Sequence, residues 1–131
     1  MSQTQPTILV IDDDVCMRDL LRLHLSNAGY DVSVAEDAVD AGHSLLKQRP
    51  DLILADIEMP YMDGLEFLQA VKADDTMSSV PVILVTGSAD AESKAQQLGA
   101  AAFLTKPLFV AELLATVARQ FEGRIALPAA A

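Results

Sequence analysis

Five short apolar runs punctuate the chain, separated by longer stretches of mixed polarity. Thr7–Ile11 (TILVI) is continuous and rich in β-branched residues, and Leu52–Ala55 (LILA) and Val82–Val85 (VILV) are uniformly apolar. Asp31–Val34 (DVSV) is a weaker run, and Ala101–Leu104 (AAFL) is the last and shortest. Runs without polar alternation predict strands covered on both faces, as in a parallel sheet between helices. The intervening stretches carry a helical period. Val15–Ala28 stops at Gly29, takes Asp14 as its N-cap, and offers Cys16, Met17, Leu20, Leu21 and Leu23 as a broad inner face. Ala38–Gln48 ends before Pro50, with Ala38, Ala41 and Leu45 inward. Leu65–Ala73 follows Gly64, and Ala89–Leu98, whose stripe is mostly alanine, stops at Gly99. Val110–Phe121 shows the clearest period, through Val110, Leu113, Leu114, Val117 and Phe121. Strand then helix, five times over, predicts an α/β fold. Its doubly wound five-stranded parallel sheet would be flanked by five helices through right-handed crossovers.

A length of 131 residues suits one domain, expected over 7–122 between tails at 1–6 and 123–131. With 51% apolar residues the chain can bury a core without staples. Nine basic residues against 19 acidic ones give a net charge of −10, which argues against binding to nucleic acid or an anionic membrane. The single Cys16 makes no internal disulfide and reads as a small buried hydrophobe. With only His24 and His43 beside it, there is no cysteine/histidine zinc set. The sequence shows no membrane-spanning run and no leader, so a cytoplasmic location is expected.

The polar residues that interrupt this frame fall where such folds build sites, at the carboxyl ends of strands. Asp12, Asp13 and Asp14 follow the first strand, Asp56 the third, Thr86 the fourth, and Lys106 the fifth. Two carboxylates 4 Å apart repel by roughly 4 kcal/mol at an effective dielectric of 20, so such a cluster calls for a cation or a proton. Oxygen donors without His or Cys select a hard ion, Mg²⁺ or Mn²⁺. A lysine and a hydroxyl beside them suit a phosphoryl group, and a carboxylate can itself attack to give an acyl phosphate. Asp14 reads only as the helix cap.

Over residues 7 to 121 the sequence resembles the receiver (CheY-like) domain of bacterial two-component response regulators. The segments that carry the likeness are ILVIDDD at 8–14, DLILADIEMPYMDGLEFL at 51–68, VPVILVTG at 80–87 and LGAAAFLTKP at 98–107. The resemblance implies that Asp56 accepts a phosphoryl group from a histidine kinase or phosphotransfer protein. It implies that Asp13 binds Mg²⁺ directly, Asp12 helps hold the ion, and the Glu58 carbonyl is a third protein ligand. Thr86 matches the switch hydroxyl, Phe103 the aromatic switch position, Lys106 the phosphate-binding lysine, and Lys106–Pro107 the cis peptide. The Gly87 N–H is placed to donate to the phosphoryl group. Output is then expected through another protein, at a surface formed by the fourth helix, fifth strand and fifth helix, with room for a phosphorylation-linked dimer. The chain would not be an enzyme beyond its own phosphorylation and slow dephosphorylation. Gly87 replaces the commoner alanine and should loosen switching, and Phe103 lacks the hydroxyl of the commoner tyrosine. Glu58 and Ser88 flank the expected water path and should tune the acyl-phosphate lifetime.

Several alternatives stand beside this reading. The receiver could act alone, as a phosphoryl shuttle or sink, or as a piece of a longer regulator. A haloacid-dehalogenase-like phosphatase would need its acidic motif to end in Thr or Val, where this chain has Cys16, and leaves the M-D-G segment unexplained. A phosphorylation-independent binding module fits poorly with the complete acid, hydroxyl and lysine set. Tyr61, Met59 and Met62 are expected to shape a loop, and the alanine-rich fourth helix to be either plain or a shallow interaction surface.

Overall fold

The computed structural model describes residues 5–122. Five parallel strands form one sheet: β1 (Thr7–Ile11), β2 (Asp31–Ala35), β3 (Leu52–Asp56), β4 (Val82–Thr86) and β5 (Ala102–Thr105). Their order is β2-β1-β3-β4-β5. The helices are α1 (Val15–Asn27), α2 (Ala38–Lys47), α3 (Gly64–Ala73), α4 (Glu92–Gln97) and α5 (Val110–Arg119). The chain winds outward from β1 to β2, then returns past β1 to β3, so strand order reverses between β1 and β3. This is the predicted doubly wound architecture, and the reversal opens a crevice at the carboxyl ends of those two strands. Among the described residues no helix is long and apolar enough to cross a membrane.

Strand side chains alternate between two cores. Ile8, Val10, Leu52, Leu54, Ile83, Val85 and Leu104 pack with Leu21 and Leu25 of α1 and with Leu113, Val117 and Phe121 of the α5 region. Leu9, Ile11, Ile53, Ala55, Val82 and Leu84 face Ala41 of α2, Phe67, Leu68 and Val71 of α3, and Ala95 of α4. Burial on both faces explains why β3 and β4 read as unbroken apolar runs.

Local chemistry sets the helix ends. The Asp14 carboxylate accepts from the Cys16 and Met17 N–H groups, as expected of a cap. Asp63 and Glu66 form a reciprocal capping box that starts α3 at Gly64, one residue before the predicted start. Past α1, Gly29 adopts φ 103°, a left-handed turn that glycine takes without steric cost.

Four expectations need correction. Cys16 is exposed, and so are Leu20 (51%) and Leu23 (53%). Leucines at 20, 21, 23 and 25 surround the helix, and the sheet takes the four-residue ridge through Met17, Leu21 and Leu25. The stretch predicted as one helix from Ala89 to Leu98 divides into a 3₁₀ turn (Ala89–Ala91) and the short α4. Ser88 caps the Asp90 N–H and fixes that tighter turn, and only Ala95 of α4 is buried. β5 runs one residue later than predicted, because Ala101 N–H still serves the β4 start at Val82 while Thr105 pairs with Thr86. Val110, placed on the inner stripe of the last helix, is exposed. The expected tail at 123–131, like residues 1–4, lies outside the described residues.

Candidate functional site

The sheet register brings the predicted residues to one rim. Ile11 pairs with Ala55, so Asp12 and Asp56 leave neighbouring strands side by side. Asp56 pairs with Val85 and Thr86 with Thr105, which sets Thr86 and Lys106 next along the same edge. Backbone bonds extend the ladder into the loops: Asp12 N–H donates to Ala35 O, Ile57 N–H to Val85 O, and Lys106 N–H to Thr86 O. The side chains are therefore held by the sheet itself.

Asp12 (2% exposed), Asp56 (4%) and Thr86 (1%) are buried polar groups at an otherwise apolar sheet end. Asp13 is exposed. Carboxylate oxygens of Asp12, Asp13 and Asp56 lie within 4.8 Å of one another. Lys106 Nζ donates to Asp56 Oδ2 at 2.9 Å and stands 3.8 Å from Asp12 Oδ2. The Asp14 N–H donates to Asp12 Oδ1 at 2.9 Å, and the Glu58 N–H to Asp56 Oδ1 at 3.3 Å. The Lys106–Pro107 peptide is cis.

Two buried carboxylates, Asp56 and Asp12, thus face one ammonium and are held against their charge. Burial pushes the pKa of Asp56 up, with the Asp12 charge adding to it and the Lys106 bond opposing it. Burial likewise raises Asp12, helped by the charges of Asp13 and Asp14 and opposed by the Asp14 N–H and Lys106. Burial alone would lower Lys106, but the Asp56 hydrogen bond and the charges of Asp56, Asp12 and Glu58 outweigh it and raise its pKa. An all-oxygen donor set with surplus negative charge fits a hard divalent cation.

The structure adds contacts that the sequence did not reveal. The Thr86 hydroxyl donates to Glu58 Oε2 at 2.7 Å, and Thr86 Oγ1 accepts from the Ser88 N–H at 3.2 Å. The Arg18 guanidinium donates to the Asp12 carbonyl at 2.9 Å and ties α1 to the acid loop. Gly64, part of the M-D-G segment, abuts the end of β3: a Cβ there would stand 2.6 Å from Asp56 O and 2.8 Å from Ile57 Cα. Only glycine allows α3 to start so close to the strand carrying Asp56. At Gly87, by contrast, a Cβ would meet nothing within 4 Å. Phe103 is half-buried on β5 and packs against the α2–α4 core, opposite Leu84.

The family model of the response regulator receiver domain matches residues 8–118, and the chain belongs to that family. It is a receiver of two-component phosphorelay signalling. It is 36% identical over 128 residues to the DNA-binding dual master transcriptional regulator RpaA of a Synechocystis strain, covering 96% of this chain and 53% of that protein. It is 33% identical to the phosphate regulon transcriptional regulatory protein PhoB of Pseudomonas aeruginosa, over 83% of this chain and 48% of PhoB. The chain therefore spans about half the length of these relatives. The chemotaxis response regulator CheY4 of Vibrio cholerae superposes with a TM-score of 0.83 at 33% identity, covering 89% of this chain and 99% of CheY4.

Proposed function

We propose that Asp56 is the phosphoacceptor and that residues 7–122 form the receiver unit around it. The observation that carries this reading is the ion pair of Lys106 with Asp56, 2.9 Å long, inside a cluster of three acids. Lys106 lies nearer Asp56 than Asp12, so the positive charge that would meet a phosphoryl oxygen sits at Asp56. The Asp56 carboxylate oxygen would form a bond to phosphorus as the N–P bond of a donor phosphohistidine breaks, and the freed imidazole takes a proton from solvent. Mg²⁺ held by Asp12, Asp13, Asp56 and the Glu58 carbonyl would supply charge neutralisation. The Gly87 N–H would donate to a further phosphoryl oxygen.

The donor is a sensor histidine kinase or phosphotransfer protein. Val15 and Phe109 are exposed apolar side chains at the starts of α1 and α5, on the rim where such a donor must approach. Thr86 then exchanges partners, leaving Glu58 for the phosphoryl group and giving Phe103 space to turn inward. The exchange biases the α4–β5–α5 surface toward an output protein. The strongly acidic chain does not itself engage nucleic acid.

Intact mass after incubation with Mg²⁺ and acetyl phosphate tests the reading. One phosphoryl group should be gained, and lost in Asp56→Asn. In the same assay the gained mass should decay at a changed rate in Glu58→Asn, since that carboxylate competes for Thr86. Gain retained in Asp56→Asn would assign the nucleophile elsewhere.

A further inference from the structure

The two faces of the sheet are not covered alike. Beneath α1 and α5 the core is closed by Leu21, Leu25, Leu113, Val117 and Phe121. On the other face α2 buries only Ala41, and its small residues leave a gap toward α3. The gap is an apolar groove of about 370 Å³, with Val39, Gly42 and Leu45 on one wall and Phe67 and Ala70 on the other. Tyr61 also lines it.

A second recess of about 360 Å³ shares Val39 and Tyr61 with the groove and is lined by Glu36, Asp37, Asp40 and His43. Asp37 and Asp40 accept backbone hydrogen bonds, from the Asp40 and Glu36 N–H groups. No ion pair among the described residues neutralises any of these three acids; those present belong to Lys106. Tyr61, on the wall between groove and recess, is 83% exposed and sits at φ 71°. A bulky residue in the left-handed region is strained, and such strain clusters at functional surfaces.

We propose that the α2–α3 groove docks an amphipathic helix of a partner protein, its apolar ridge in the groove and a lysine or arginine in the acidic recess. A gap between two helices takes a third by ridge-and-groove packing, whereas a strand would need a free sheet edge. The sign of the recess selects a basic flank and repels an acidic one. The surface lies apart from α4–β5–α5 and does not depend on Asp56 being the phosphoacceptor.

Two synthetic helical peptides with the same leucine stripe, one flanked by lysines and one by glutamates, test the proposal by calorimetric titration. The lysine peptide should bind the full chain and weaken with added salt. Its affinity should fall about tenfold or more in Val39→Asp or Ala70→Glu, both exposed helix positions, and less in Glu36→Gln/Asp40→Asn. Circular dichroism and thermal midpoints establish that each variant folds. Absence of binding by the lysine peptide, equal binding by the glutamate peptide, or unchanged affinity in Val39→Asp would overturn the proposal. Self-association of the chain that Val39→Asp abolishes would make the occupant a second copy and overturn it too.

Discussion

Three positions separate Ile53, inside β3, from Asp56 at its end, and opposite chemistry builds the two. Ile53 belongs to a sheet interior of aliphatic side chains, which contributes stability through burial. Asp56 is buried almost as deeply, yet its carboxylate is held against its charge beside a second buried acid. The interior keeps the strands in register, and that register places the rim groups. The rim is tolerated because it extends the ladder by only one or two residues and has Lys106 as a counter-charge. Stability and chemistry thus occupy adjacent lengths of the same strands.

Substitutions can separate the two regions. The largest effect on stability should come from the interior: Leu54→Ala, at a position 1% exposed, should cost about 2–5 kcal/mol in a denaturant titration. Its folded fraction should still accept a phosphoryl group at close to the wild-type rate. Gly64→Ala should break the division, because it lies at the rim and presses on backbone. Alanine favours a helix by up to about 1 kcal/mol over glycine. The added Cβ would meet the Asp56 carbonyl and Ile57 Cα, neither of which can rotate away, so overpacking should win by about 1–3 kcal/mol. Both the thermal midpoint and the phosphorylation rate should fall; a gain in midpoint would mean that the close approach is not a constraint.

The third effect is smaller, and its sign is what matters. The folded-state pKa of Asp12 is raised above its ordinary value of 3.8, so the folded protein keeps a proton that the unfolded chain has released. The resulting stability is present below the unfolded pKa and is lost as pH rises through the raised folded value. Asp12→Asn, measured in chelator, should therefore be more stable than wild type at neutral pH. The gap should close as pH falls toward 3.8. A variant less stable than wild type at pH 7 would show that the Lys106 attraction outweighs burial.

Much of this was legible in the sequence, for identifiable reasons. β3 and β4 are covered on both faces, so each is apolar up to its last residue, Asp56 or Thr86, and their ends are sharp. Once the strand ends were placed, Asp12, Asp56, Thr86 and Lys106 followed, since each is the last residue of a strand or lies just beyond one. The inner face of α1 was misjudged because leucine occurs nearly all around it, and Cys16 was misplaced with it. The Thr86–Glu58 bond joins residues 28 apart through strand register and one side-chain rotamer, which no spacing rule encodes. The need for Gly64 is likewise a distance between a helix start and a strand end, invisible until both are in place.

The most direct test of the account is the position of the phosphoryl group. Borohydride reduces an aspartyl acyl phosphate to homoserine, which peptide mass spectrometry locates within the chain. After Mg²⁺-dependent phosphorylation, homoserine at position 56 and at no other acid is the predicted result. Homoserine at position 12, 13 or 14, with Asp56 intact, would contradict it.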